Sequence, residues 1–281
     1  MYIGVDIGGT STRVGLFSST TSVDFALLAH FPTQPEYEQQ LQKINAVLEA
    51  AALTTISGIG VSIGGRLTRD GRAVAVAPNL PSYVDKPFAQ VLQERWHCDV
   101  RLGHDTVCGV LGEKCFGILQ SYERCAYLTL STGTGAAVHL SKGTNTLIIS
   151  IEVAHQLLDG NILICLCGQT GCLETYTGGR QLELRLGQKV EHISDPAFWE
   201  LFSDKLSLGL VNLVQLTRVE AIAVSGAIAL HNIAILASLQ HKVDGHLRGA
   251  SVRLLPALLG ENAPLVGAVA LLTAPEDEIL H

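Results

Sequence analysis

Glu152–Glu174 reads EVAHQLLDGNILICLCGQTGCLE, in which His155 is followed by Cys165, Cys167 and Cys172 in the compact pattern C-x-C-G-x-x-G-C. Three soft thiolates and one imidazole are the donors of a closed, four-coordinate Zn²⁺ site of the structural kind. Gly168 and Gly171 let so short a loop fold back until its sulfurs meet one ion. The alternative is that the cysteines are small buried hydrophobes. Three thiols in such close succession, with a histidine nearby, favour the metal. A clamped loop also fixes where Glu152, His155 and Glu174 point. Two carboxylates and an imidazole on a rigid loop suit a polyhydroxylated ligand.

Working outward, the 281-residue chain is long enough for two domains. It is 47% hydrophobic and 16% charged, so it can bury a substantial core. A formal net charge of -7 and the lack of any Lys/Arg run argue against nucleic acid or an anionic membrane as partner. No apolar run reaches about 18 residues, so no membrane span is expected. The start, MYIGVDI, reads as a strand and lacks the basic and apolar regions of a signal peptide. Of the seven cysteines, Cys98, Cys108, Cys115 and Cys125 are scattered among apolar neighbours. That usage suits a reducing cytosol, and a cytoplasmic protein is expected.

Two further stretches share one pattern. Tyr2–Ile7 and Arg13–Phe17 are β-rich runs separated by Gly8-Gly9-Thr10, with Asp6 at the end of the first run. Ala126–Leu130 and Ala136–Leu140 are likewise separated by Ser131-Thr132-Gly133-Thr134-Gly135. Glycines, hydroxyls and a carboxylate are what a polyphosphate with Mg²⁺ requires: close backbone donors and a hard oxygen near the ion. Either turn alone could be an ordinary hairpin. The pair in matching context points to two similar halves, each offering a phosphate-binding hairpin. Ser225-Gly226-Ala227, between a strand and a helix expected to run through Leu239, is a third candidate contact or a place of close packing. Asn79 stands between two prolines, either presenting its amide or serving the turn. Asp105, after the strand Val100–Leu102, reads as a helix N-cap or as a catalytic carboxylate at a strand's carboxyl end.

The succession DIGGT, GVSIGG, APNL, HD, LSTGTG, E-x-x-H, C-x-C-G-x-x-G-C-L-E and a late SGA turn resembles the ROK family of bacterial sugar kinases and repressors, from Gly4 to about Gly267. The resemblance implies an α/β fold of two domains, the actin-like ATPase (ribonuclease H-like) fold with a cleft between domains. The expected division is 1–105 plus about 264–281, and 106–263 carrying the zinc loop. The repressor branch carries an N-terminal helix-turn-helix, and Met1 leading straight into a strand favours the kinase branch. The family pattern assigns Asp105 as general base, taking a proton from a sugar hydroxyl as it attacks the γ-phosphate of ATP. It places Asn79, His104, Asp105, Glu152, His155 and Glu174 around the sugar. Asp6, Gly8, Gly9 and Thr10 serve the phosphates and Mg²⁺, Thr132 and Gly133 form the second phosphate turn, and Gly226 lies near the adenosine. His155 both ligates zinc and touches the sugar, one ring nitrogen for each. A homodimer is also implied.

The chain departs from the family pattern at several places. His104 replaces an Asn that contacts sugar, the usual E-x-G-H reads EVAH, and apolar Leu147–Ile151 replaces a Gly-rich run. Gly64 replaces a Pro, and Ser11 stands where a Lys often follows GGT. The expected activity is ATP-dependent phosphorylation of a hexose or N-acetylhexosamine. His104 and Ala154 open an unusual sugar or cyclitol as substrate. A non-catalytic sugar sensor is the alternative from another class, and retention of Asp105 counts against it.

Overall fold

The computed structural model describes residues 1–280. It divides into two compact units, one of Met1–Phe116, Leu147–Ile149 and the chain from Asn262 onward, the other of Gly117–Thr146 and Ser150–Glu261.

The first unit begins with the antiparallel hairpin β1 (Tyr2–Ile7) and β2 (Ser11–Phe17), to which β3 (Phe25–Pro32) adds antiparallel. Helix α1 (Tyr37–Ala50) buries Leu41, Ile44 and Leu48, the stripe expected of an amphipathic helix. Strand β4 (Gly58–Ile63) is buried along its whole length and runs parallel to β1. After a small hairpin, β5 (Arg66–Leu67) with β6 (Val74–Val76), come α2 (Phe88–Trp96) and β7 (Asp99–His104), parallel to β4. Helix α3 (Asp105–Phe116) follows without a linker. The sheet order is β3-β2-β1-β4-β7. The carboxyl ends of the parallel strands β1, β4 and β7 therefore carry Asp6, Gly64 and the His104–Asp105 step, where open α/β sheets place their ligands.

The second unit opens with β8 (Arg124–Leu130) and β9 (Thr134–Lys142), an antiparallel hairpin, followed by β10 (Asn145–Ile151). The apolar run at 147–151 thus forms part of a strand, with Ile148 fully buried. Then come α4 (Glu174–Thr177), α5 (Gly179–Leu186) and α6 (Pro196–Thr217), the last capped by the Asp195 carboxylate, which accepts the Ala197 N–H at 2.9 Å. Strand β11 (Ala221–Ser225) runs parallel to β8. The single helix expected after Gly226 is instead two, α7 (Ala227–His231) and α8 (Ile235–His246). Asn232 interrupts them, its side-chain amide donating to the Ile228 carbonyl at 3.0 Å. Strand β12 (Arg253–Pro256) completes the order β12-β11-β8-β9-β10. Numbered within its own sheet, and with the second read from β10, each order is third, second, first, fourth, fifth strand. The two halves share one topology.

The chain then returns to the first unit as α9 (Ala263–Ala270) and the short β13 (Ile279–Leu280), which pairs with Ile148 and Ile149. Helix α9 is built of small and aliphatic residues because it lies at backbone distance from its neighbours. A Cβ on Gly60 of β4 would collide with the Ala268 carbonyl, and one on Gly267 with the Cys108 carbonyl of α3. This packing holds α3 in the first unit, so the division falls after Phe116 and not after Asp105. No helix among the described residues is long and apolar enough to cross a membrane.

Candidate functional site

In the first unit, the hairpin register sets Asp6 opposite Arg13. Arg13 Nη2 donates to Asp6 Oδ2 at 2.7 Å, and Ser62 Oγ, from β4, donates to Oδ1 at 2.8 Å. Burial raises the Asp6 carboxyl above its ordinary value, Arg13 and Ser62 pull it back down, and the charge of Asp105 adds a further push upward. The turn that follows is closed by Gly8 N–H on the Ser11 carbonyl at 3.0 Å. It is tied outward by Thr33, whose N–H reaches the Thr10 carbonyl at 3.0 Å and whose hydroxyl donates to the Gly8 carbonyl at 2.7 Å. Asn79 lies over this turn. A Cβ on Gly9 would stand 3.2 Å from Asn79 Cβ, so glycine makes room for the amide-bearing side chain.

Asp105 opens α3. Its Oδ1 accepts the Thr106 N–H at 2.7 Å and lies 2.9 Å from His104 Nδ1, which is also 2.7 Å from Thr106 Oγ1. Oδ1 is held by these contacts, and Oδ2 is the oxygen facing Gly64, 3.6 Å from where a Cβ there would sit. Asp6, Gly8, Gly9, Asn79, His104 and Asp105 therefore belong to one unit. Cys108, fully buried on α3, feels both carboxylates: burial first, then Asp6 and Asp105, push its thiol well above the ordinary value.

In the second unit, the turn between β8 and β9 is closed by Ser131 N–H on the Gly133 carbonyl at 2.9 Å. Two amides from the start of α5 reach it, Gly179 N–H to the Ser131 carbonyl at 2.9 Å and Arg180 N–H to the Thr132 carbonyl at 2.8 Å. Glu174 Oε2 accepts the Thr134 N–H at 3.0 Å. Glu174, expected among the sugar ligands, thus also ties this turn through one of its carboxylate oxygens. Burial raises Glu174 from 4.5 to about 7, against the lowering pull of Thr134. Gly226, with φ 89°, is pressed against the Leu130 backbone, so close packing alone accounts for its lack of a side chain.

The cysteine loop of the same unit brings one donor atom from each of His155, Cys165, Cys167 and Cys172 within 4.8 Å of one another. Gly168 and Gly171, at φ 91° and 94°, make the reversal. Leu158 N–H on the Gly171 carbonyl at 2.9 Å, and buried Asn161 on the Cys172 carbonyl at 3.0 Å, close the loop. Cys167 Sγ and Cys172 Sγ are 3.7 Å apart. A tetrahedral ion about 2.3 Å from each sulfur would set sulfurs about 3.8 Å apart, so this pair could share a four-coordinate metal ion. His155 turns Nδ1 to Cys165, at 3.9 Å, and Nε2 to Glu152, at 4.0 Å. The imidazole is thus two-ended, one nitrogen on the metal side and the other beside a carboxylate that is largely exposed.

Several residues of the site were not found from the sequence. Arg13 could have been, because the hairpin register alone sets it across from Asp6. Ser62 lies within GVSIGG but had no role assigned to it, and Thr33 and Gln181, whose amide donates to Cys165 Sγ at 3.2 Å, carry no motif.

The sequence pattern of the ROK family fits residues 2–274. The chain belongs to the ROK family. A ROK family glucokinase from Streptomyces griseus, crystallised with glucose and AMPPNP, superposes with a TM-score of 0.78 at 24% identity, over 96% of this chain and 98% of that one. The fold is thus the two-domain actin-like ATPase fold of the ROK sugar kinases. By sequence, the chain is 28% identical over 231 residues to the xylose repressor of Bacillus subtilis, covering 75% of this chain and 59% of the repressor. It is 31% identical over 199 residues to the glucokinase of Thermotoga maritima, covering 68% of this chain and 62% of the glucokinase. The chain spans less than two thirds of the length of each of these two relatives. This ROK chain therefore has both a kinase and a repressor among its similar proteins.

Proposed function

We propose that this ROK protein is an ATP-dependent sugar kinase, phosphorylating a hydroxyl of a hexose or N-acetylhexosamine. The observation that carries the reading is Asp105. It stands at the carboxyl end of β7 in the same unit as the glycine turn, close enough for its charge to act on Asp6. Phosphoryl transfer asks for positioning and charge neutralisation with one base to take the hydroxyl proton. Asp105 is the base, its Oδ1 anchored by Thr106 and its Oδ2 turned to the turn side. Asp6, with both oxygens already hydrogen-bonded, acts on Mg²⁺ through the ion's water shell, as suits an ion that dehydrates reluctantly. Gly8, Gly9 and Thr10 serve one phosphate segment of ATP and Thr132 and Gly133 another. Asn79, His104, Glu152, His155 and Glu174 serve the sugar. Zinc, held by His155, Cys165, Cys167 and Cys172, supplies rigidity and no chemistry of its own.

The test is Mg-ATP-dependent ADP release against a panel of hexoses, N-acetylhexosamines and cyclitols, with Asp105→Asn beside the native protein. One stimulating substrate, and a fall in kcat of about a thousandfold in the variant with sugar binding retained, is the expected result. A sugar that binds without stimulating release from the native protein overturns it. That outcome favours a sugar-sensing role, which the similarity to a xylose repressor and the engagement of His104 Nδ1 with Asp105 and Thr106 keep as the second reading.

A further inference from the structure

Gln40 is a glutamine with no exposure at all on helix α1, away from every motif. Its carbonyl oxygen accepts the Gln34 N–H at 2.9 Å, and its amide donates to Thr12 Oγ1 at 2.9 Å. Thr12, equally buried, lies 3.0 Å from Thr33 Oγ1, and the Thr33 hydroxyl donates to the Gly8 carbonyl at 2.7 Å. The proton directions are determined by the two ends. Thr33 has one hydroxyl proton and spends it on Gly8, so the Thr12 hydroxyl donates to Thr33 and itself accepts from Gln40. The result is a single oriented chain: Gln40 amide, Thr12 hydroxyl, Thr33 hydroxyl, Gly8 carbonyl.

Chains of hydrogen bonds polarise one another, more so away from water. This one ends on a peptide carbonyl, and the partial double bond of that peptide links its C=O to the next N–H. In a trans unit the N–H points opposite the C=O, and no cis peptide is present among the described residues. The carbonyl of Gly8 is held by the buried chain, so the Gly9 N–H is aimed away from it, at the exposed face of the turn.

The geometry points to Gln40, Thr12 and Thr33 as positioning residues that orient the Gly8–Gly9 peptide and strengthen the Gly9 N–H as a donor to a nucleotide phosphate. This rests on the turn being a phosphate site, as proposed above. Because every member is neutral, the chain aims the donor without adding a charge that Mg²⁺ or phosphate would have to overcome.

The experiment uses the full chain labelled with ¹⁵N-glycine, calorimetric titration with Mg-ADP, and steady-state kinetics. Thr33→Val cuts the chain at its last link; Thr33→Ser keeps the hydroxyl. The expected results for Thr33→Val are an upfield move of the Gly9 amide ¹⁵N resonance and about tenfold weaker Mg-ADP binding. The KM for ATP should rise by a similar factor at unchanged sugar KM, and Thr33→Ser should recover each value. Gln40→Met, which removes the first donor, should act in the same direction more weakly, and it carries the test if Thr33→Val does not fold. A Gly9 resonance unmoved by these substitutions overturns the hydrogen-bond chain. A moved resonance with unchanged Mg-ADP affinity overturns its positioning role. If the native protein binds no Mg-ADP, the phosphate reading and the donor role fall together, and the resonance alone still decides whether the chain polarises Gly9.

Discussion

At Gly8–Ser11 the turn is tied down by side chains: the Thr33 hydroxyl on the Gly8 carbonyl, and behind it Thr12 and Gln40. At Ser131–Gly133, between the corresponding strands of a sheet with the same order, the ties are backbone amides of Gly179 and Arg180 and one carboxylate, Glu174. The first turn has its carboxylate, Asp6, neutralised by Arg13. The second has a half-buried carboxylate with no cation against it among the described residues, and its acid range is shifted upward. Equal topology therefore does not give equal electrostatics. At the first turn Arg13 and Ser62 offset part of the burial that raises Asp6. At the second, burial makes ionised Glu174 costly to the fold although the Thr134 N–H favours it, and this anchor follows Cys172 closely in the chain.

The largest effect expected from breaking this contrast is in the first half. Arg13→Leu leaves Asp6 buried with only Ser62 for company, and should cost about 3 kcal/mol of unfolding free energy at pH 8. Burial raises the Asp6 carboxyl, so its protonated form is the one the fold tolerates, and the loss should shrink toward pH 5. Urea unfolding at both pH values checks this; equal losses at the two would remove Asp6 as the cause.

Next is Glu174. Its folded-state value of about 7 lies above the ordinary 4.5, so its contribution is full below 4.5 and is lost as pH rises through about 7. Glu174→Gln, which cannot ionise, should be more stable than the native protein at pH 8 by roughly 3 kcal/mol, and similar to it near pH 4.5. Parallel pH profiles for the two proteins would show that Glu174 does not govern the second turn.

The smallest expected change is at the metal loop. Gln181→Leu removes the amide that donates to Cys165 Sγ and should weaken zinc binding roughly tenfold in a chelator competition. Chelation should expose the segment from Val153 to Leu173 to protease while the hairpin at Gly8 stays protected. Simultaneous loss of protection in both would mean that the two turns do not have separate supports. Native protein that retains no zinc through purification would remove the metal from the account.

Much of this was legible in the residues. The β-rich runs Tyr2–Ile7 and Arg13–Phe17 and the two Gly/Thr turns are local signals, and local backbone preference reads them directly. The cysteine spacing is equally local: three sulfurs so near in sequence can meet without help from the rest of the chain. The apolar run at Leu147–Ile151 stood out in the sequence as a departure. Its place as a strand paired with Ile279 and Leu280 was not legible there, because that pairing joins segments far apart in the chain.

The sequence by itself determined the α/β class, the paired hairpins, the grouping of His155 with Cys165, Cys167 and Cys172, and the family. Each depends on residue types at short spacing, where chain connectivity already supplies proximity. Only the tertiary structure decided what each carboxylate is used for. Asp6 was found with Arg13 and Ser62, Asp105 with His104 and Thr106, and Glu174 with Thr134. Tertiary packing likewise brought Gln40 beneath the first turn and laid α9 against Gly60 and α3. A carboxylate's role follows from its burial and its partners, and those are set by strands and helices that meet across long stretches of chain.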